Sequence, residues 1–121
     1  MIHLDTNALI WLLAGHPRAK RLGSLRTALV VSPAVFLEVG VLVELGKVRL
    51  AGTLSEARRD SRFRVDHPDG AAWFEEAEGL AFTRDPFDRL IVANALLRSA
   101  KLATSDAKII AFLGPDGVVE L

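Results

Sequence analysis

The stretch Ala28-Leu29-Val30-Val31 runs directly into Ser32-Pro33, and this junction indicates the fold. Its β-branched apolar residues are typical of a buried strand. Serine is favoured at the N-cap of a helix and proline at the first helical position, so a helix is predicted to begin here and to end near Gly46. A buried strand that leads straight into a helix is the basic unit of a parallel α/β sheet.

The same alternation recurs on both sides of this junction. Strands are predicted at residues 2–4, 63–65, 102–104 and 117–121. Helices are predicted at residues 8–14, 17–26, 32–45, 54–62, 69–78 and 85–100, with a short one starting at 106. The pattern predicts a parallel sheet with helices on both faces.

Length and composition define the class of protein. A chain of 121 residues, half of them hydrophobic, is expected to form one domain over residues 1–121. The absence of cysteine excludes a disulfide scaffold, a thiolate zinc site and a cysteine nucleophile. No apolar run has membrane-spanning length and the amino end lacks a signal-peptide pattern, so a cytoplasmic protein with no membrane contact is expected.

The zero net charge conceals an asymmetry between the two halves. Residues 1–65 carry ten basic and five acidic side chains, and residues 66–121 carry the reverse. The basic half is either a polyanion-binding surface or a solvated face.

Acidic residues follow two of the predicted strands. Asp5 follows the first strand and Asp106 follows the strand at 102–104. Sites in open parallel sheets form at the carboxyl ends of strands, where the winding direction reverses. If the chain crosses back after its third strand, both aspartates flank one crevice. Each also precedes a helix, so N-capping is the alternative role.

Glu38 is the only charged residue between Ala28 and Val43. A carboxylate on such an apolar helix is predicted to be partly buried, which is costly unless it is paired or binds a metal. A structural ion pair with an arginine is the alternative. Asp85 and Asp88 lie in Arg84-Asp85-Pro86-Phe87-Asp88-Arg89, where Asp85 is placed as an N-cap and Asp88 as a capping-box acid.

Capping explains each acid separately, but all four acids are predicted at one edge of the sheet. A shared site is therefore favoured over separate capping roles. Clustered carboxylates repel one another, and a hard divalent cation relieves that repulsion. Oxygen ligands without histidine or cysteine favour Mg²⁺, with Mn²⁺ as the alternative. The predicted ligands are Asp5, Glu38, Asp88 and Asp106.

Four segments resemble PIN-domain proteins, especially VapC-type toxins of toxin–antitoxin modules. They are Leu4-Asp5-Thr6-Asn7-Ala8, Ser32-Pro33-Ala34-Val35-Phe36-Leu37-Glu38, Arg84-Asp85-Pro86-Phe87-Asp88-Arg89 and Leu102-Ala103-Thr104-Ser105-Asp106. The resemblance covers nearly the whole chain, with the motifs in order. It implies a three-layer αβα fold with a five-stranded parallel sheet, and a magnesium-dependent endoribonuclease that forms homodimers and binds a cognate antitoxin.

By the same resemblance, the acidic quartet is the catalytic and metal-binding set. Asp85 is then an accessory acid, and Thr6, Asn7 and Thr104 support the quartet. Arg89 is either a phosphate contact, a partner of Asp85 or an exposed first-turn residue. His3, within the first strand, is predicted to be a hydrogen-bonded core residue rather than a base.

Two other functions stay open at this point. One is a phosphohydrolase with an aspartate nucleophile at a strand end, although Asp5-Thr6-Asn7 lacks the second aspartate that such enzymes use as acid and base. The other is a non-catalytic binding module in which the acids are helix caps and Glu38 belongs to a buried ion pair.

Overall fold

A computed structural model covers residues 1–121 and contains a five-stranded parallel sheet. The strands are β1 (Ile2–Leu4), β2 (Leu29–Val31), β3 (Arg64–Val65), β4 (Lys101–Thr104) and β5 (Val118–Glu120). The helices are α1 (Thr6–Ala14), α2 (Lys20–Ser24), α3 (Pro33–Glu44), α4 (Leu54–Arg58), α5 (Gly70–Glu78), α6 (Pro86–Leu97) and α7 (Ala107–Leu113).

The strand order is β3-β2-β1-β4-β5, and it confirms the predicted crossing back after the third strand. The chain moves outward from β1 to β3 and then returns to the other side of β1. Right-handed crossovers in opposite directions place helices on opposite faces, which gives the three layers. β1 and β4 are neighbours, with Leu4 opposite Ala103, so their carboxyl ends lie side by side.

Helix boundaries follow local capping chemistry. The Ser32 side chain accepts a hydrogen bond from the Ala34 N–H, and Pro33 occupies the first turn of α3. Beyond α3, Gly46 adopts φ +73°, a left-handed conformation that a side chain disfavours. Three predicted helices are shorter in the structure, and one of them, predicted at 54–62, ends at Arg58. The segment at 17–26 divides into a 3₁₀ turn (Pro17–Ala19) and α2, and α6 ends at Leu97, because the chain turns through Ser99 at φ +51° before β4 begins.

The core is one cluster of 25 buried apolar residues between the sheet and its helices. Its largest fully buried side chains include Phe36, Leu4 and Leu9. None of the helices combines the length and the apolar character needed to cross a bilayer.

A buried polar group ties the end of β3 to α6. Asp66 is 5% exposed, and it accepts hydrogen bonds from Asn94 at 2.7 Å and from both Nε and Nη2 of Arg98 at 2.8 Å. These bonds, with that of the Arg98 guanidinium the strongest, lower the pKa of Asp66 to about 2. The ionised carboxylate therefore stabilises the fold.

His3 differs from its prediction, because neither ring nitrogen has a hydrogen-bond partner. The nearest charged atom is Oδ2 of Asp66, 3.9 Å from Nε2. Burial lowers the pKa of His3 to about 4, against the opposing influence of Asp66, so the ring is neutral at pH 7. The predicted place of His3 in the core is confirmed, but the predicted hydrogen bond is absent. The strand pattern predicts that His3 is buried, but it does not show which polar atoms lie next to its ring.

Asp66→Asn is expected to lower the free energy of unfolding at pH 7 by about 2 kcal/mol, the equivalent of its pKa shift. The folded-state pKa is depressed, so this stabilisation is present above the unfolded-state pKa and is lost as the pH falls from about 4 to about 2. Urea unfolding at several pH values measures it.

The matched control is Asp69→Asn, because Asp69 is exposed and its side chain makes no capping bond. Its unfolding free energy should follow that of the wild type. Equal losses for the two variants, or a loss at Asp66 that does not shrink in acid, would contradict the proposed role of the Asp66 carboxylate.

Candidate active site

The carboxyl ends of β1 and β4, with the second and third turns of α3 and the first turn of α6, enclose an acidic crevice of about 220 Å³. The structure brings all four predicted acids together there. It also places Thr6, Asn7 and Asp85 in the lining. The complete lining is Asp5, Thr6, Asn7, Glu38, Leu42, Asp85, Asp88, Asp106 and Ile109.

Three of the aspartates, Asp5, Asp85 and Asp106, are helix N-caps, as the alternative capping role predicts. Asp5 Oδ1 accepts from the Ala8 N–H at 2.8 Å, and Asp106 Oδ1 accepts from the Lys108 and Ile109 N–H groups at 2.8 and 3.1 Å. Asp85 Oδ1 caps α6 in the same way. Each cap uses only Oδ1, so the second oxygen of each carboxylate has no backbone partner. Capping and ion binding are therefore compatible at these positions.

Asp88 is not a capping residue. In a capping box its carboxylate would accept from the Asp85 N–H, but that N–H donates to the Thr83 hydroxyl at 3.2 Å. The Asp88 side chain makes no hydrogen bond or ion pair and is half-buried. Burial first, and then repulsion from Asp85, Asp106, Glu38 and Asp5, raises its pKa to about 7. The capping alternative for Asp88 is thereby excluded.

Glu38 is half-buried in the second turn of α3 and forms no ion pair with an arginine. Its Oε1 instead accepts a hydrogen bond from the Thr6 hydroxyl. Burial raises the pKa of Glu38, the Thr6 hydroxyl opposes that shift, and Asp85 adds to it. The alternative of a structural ion pair at Glu38 is therefore wrong. Thr6 orients the Glu38 carboxylate, as the supporting role of Thr6 predicts.

Asp5 is the deepest carboxylate of the crevice, at 6% exposed. Burial raises the pKa of Asp5 to about 6, while the Thr104 hydroxyl and the Ala8 N–H favour its ionised form. Thr104 is fully buried, and its Oγ1 also accepts from the Asp106 N–H at 3.0 Å. Thr104 therefore supports two of the acids at once.

Arg89 does not line the crevice. Its Nε donates to the Thr83 carbonyl at 2.8 Å, and its Nη1 donates to the Glu78 carbonyl at 3.3 Å. It pairs with neither Asp85 nor the other acids and is half-buried, so its predicted roles as a partner of Asp85 and as an exposed residue are wrong, and its role as a phosphate contact stays a prediction. These carbonyl partners could not be predicted from the sequence, because they depend on the path of the loop before α6.

The chemistry of the donor set fits a hard divalent cation. The polar side chains that line the crevice are carboxylates, one hydroxyl and one amide, and burial, with the neighbouring like charges, raises the pKa values of Asp5 and Asp88. As placed, no three acidic or histidine side chains are arranged to hold a metal ion directly. Shared coordination of one ion requires rotation of these side chains, and their role as ligands stays a prediction.

Sequence reasoning overlooked Thr83, Leu42 and Asp66. Thr83 has one sequence signal, its position two residues before an N-cap aspartate. Leu42 lines the crevice as an apolar wall. Asp66 also follows a strand, but two strands, β2 and β1, lie between β3 and β4, and the Asp66 carboxylate is paired with Arg98.

This chain belongs to the PIN domain family, whose family model matches residues 2–112. No curated protein matches the sequence. Among solved structures, a toxin-antitoxin complex from Klebsiella pneumoniae is 26% identical, with a TM-score of 0.73, over 98% of this chain and 96% of that one.

Two more distant structures share the fold. VapC20 of Mycobacterium tuberculosis, described as a sarcin-ricin loop cleaving toxin, is 21% identical, with a TM-score of 0.68, over 92% of this chain and 95% of that one. VapBC2 of Rickettsia felis, bound to a DNA fragment from its promoter, is 19% identical, with a TM-score of 0.68, over 100% and 99%.

Proposed function

We propose that this protein is the toxin of a VapBC-type toxin–antitoxin pair and that it is a Mg²⁺-dependent endoribonuclease. The observation that carries the proposal is the acidic crevice, in which an unpaired, half-buried Asp88 faces Asp5, Glu38 and Asp106. A fold that keeps so many carboxylates in one crevice at a cost in stability indicates a functional cation site. Membership of the PIN domain family and the likeness to toxin–antitoxin complexes support the biological role.

Asp5, Asp88 and Asp106 would hold the cation, and Glu38 would be a further ligand or would position water. When bound, Mg²⁺ neutralises charge on the scissile phosphate and activates water for attack. Thr6 and Thr104 hold Glu38 and Asp5 in place, and Leu42 and Ile109 form the apolar part of the lining.

The non-catalytic binding module is the less favoured function. It requires Asp88 to be a cap and Glu38 to be an ion-pair partner, and neither arrangement is present. The nucleophilic phosphatase lacks its second aspartate, since Asn7 lines the crevice at that position.

Cleavage of RNA by the purified chain tests the proposal. Incubation with total RNA in Mg²⁺ is expected to give discrete fragments with 5′-phosphate and 3′-hydroxyl ends, and EDTA should prevent their formation. The matched control is Asp5→Asn. Cleavage that persists in EDTA, or that is equal in Asp5→Asn, would show a contaminating nuclease or a different site.

The antitoxin is proposed to dock along α3. Two grooves of about 430 and 720 Å³ share the residues Gly40, Glu44 and Leu54 on this side of the molecule. The larger groove is lined by Lys47 and Arg49 beside apolar side chains, and Leu45, which follows α3, is 62% exposed. Such a surface fits an amphipathic segment of a partner protein.

A homodimer is expected as well, because large apolar side chains remain exposed elsewhere on the molecule. Phe74 on α5 and Phe112 on α7 are 55% and 44% exposed. Light scattering at micromolar concentration should give about twice the mass of the 13.1 kDa chain. A monomer over that concentration range would show that the expected homodimer does not form.

A further inference from the structure

Arg89 spans the hairpin formed by α5 and α6. Glu78 is the last residue of α5, and its carbonyl is one of those that an α-helix leaves without a partner at its carboxyl end. The Arg89 guanidinium bonds this carbonyl and also that of Thr83, in the loop that leads to α6. A cation at a helix carboxyl end also interacts favourably with the helix dipole. One side chain therefore fixes both ends of the segment from Glu78 to Thr83.

The fixed loop continues directly into the acidic crevice. Thr83 is 7% exposed, and its hydroxyl accepts the Asp85 N–H. Asp85 Oδ1 in turn accepts from the N–H groups of Phe87 and Asp88 at 2.8 and 3.2 Å. A continuous set of hydrogen bonds thus links Arg89 to Thr83, Thr83 to Asp85, and Asp85 to the backbone of Asp88.

We infer that Arg89 is a positioning residue, which holds the loop before α6 so that Asp85 caps the helix and Asp88 faces the other acids. The catalytic part of this inference rests on the proposed ribonuclease function. The guanidinium is suited to the task because its planar fork reaches two carbonyls at once, whereas a lysine ammonium lacks that geometry. A residue next to Asp88 in sequence therefore acts on it through the backbone rather than through contact with RNA.

The test compares Arg89→Gln and Arg89→Lys with the control Arg84→Gln, since Arg84 is exposed and makes no hydrogen bond. Amide hydrogen exchange at Phe87 and Asp88 should quicken by up to roughly tenfold in Arg89→Gln, as expected for the loss of about one hydrogen bond. Mn²⁺ affinity, measured by calorimetry, should fall several-fold. Arg89→Lys should be intermediate, and Arg84→Gln should match the wild type in both measurements.

On a cleaved RNA, Arg89→Gln should lower kcat and leave KM nearly unchanged. A raised KM with wild-type exchange and wild-type Mn²⁺ affinity would make Arg89 a phosphate contact and overturn the inference. Wild-type behaviour in all three measurements would overturn it as well. Exchange and Mn²⁺ affinity do not depend on RNA cleavage, so they test the positioning role even if the proposed function fails.

Thr83→Val provides an independent variant if Arg89→Gln does not fold. It removes only the acceptor of the Asp85 N–H and keeps the side-chain volume. Faster exchange at Asp88 is again expected, with weaker Mn²⁺ binding. Unchanged amide exchange at Asp88 in this variant would show that the loop does not hold the Asp88 backbone, and would overturn the inference.

Discussion

Asp88→Asn is expected to abolish RNA cleavage without lowering the melting temperature of the metal-free protein. Asparagine keeps the shape of the side chain but removes the anion that would hold the cation. The loss of one such group commonly lowers the rate by a factor of ~10² or more. Stability should not fall, because burial and four neighbouring carboxylates already disfavour the charge of Asp88, as its raised pKa of about 7 indicates.

Asp85→Asn is the matched control for this prediction. Asp85 caps α6 through two backbone N–H groups and is exposed. Its substitution should reduce cleavage less than Asp88→Asn and should lower the melting temperature, because the charge that favours the helix amino end is lost. Wild-type cleavage by Asp88→Asn would show that the nuclease site is wrongly assigned.

The second large effect is stabilisation of the wild type by Mn²⁺ or Mg²⁺. A cation that binds only the folded state relieves the repulsion between its carboxylates. At a concentration of about 100 times Kd it adds about 2.7 kcal/mol, or roughly 10 °C in melting temperature for a domain of this size. Asp5→Asn should lose most of this gain, because Asp5 is the deepest carboxylate in the crevice.

Asp69→Asn is the control for metal binding, since it removes an exposed carboxylate that does not line the crevice. It should keep the full stabilisation by Mn²⁺. Equal metal stabilisation of Asp5→Asn and the wild type would remove Asp5 from the metal site.

Strand order and crevice position follow from the sequence because they depend on strong local signals. Runs of β-branched residues indicate the strands. Helices begin at Ser-Pro and Asp-Pro and end at glycine, and right-handed crossovers restrict how strands and helices are arranged. Once β1 and β4 are neighbours, Asp5 and Asp106 must lie close together. Glu38 could be selected because no other charge occurs along its stretch of chain.

The partners of side chains could not be predicted in the same way. The sequence places Arg89 beside Asp88, but the guanidinium bonds the carbonyl of Glu78, at the end of α5, and that of Thr83, in the loop before α6. His3 is buried as its strand predicts, yet its neighbour Asp66 comes from a distant segment and bonds Asn94 and Arg98 instead. Such contacts depend on loop paths and helix placement, which short-range patterns do not encode.

Asp5, Asp88 and Asp106, with Glu38, are proposed to bind a divalent cation in one crevice. A crystal structure of the protein with Mn²⁺, recorded near the manganese absorption edge, tests this proposal directly. We expect an anomalous peak among these carboxylates, with their side chains rotated toward the ion from their metal-free positions. Full Mn²⁺ loading with no peak in the crevice, or with a peak elsewhere, would show that these residues are not the cation site.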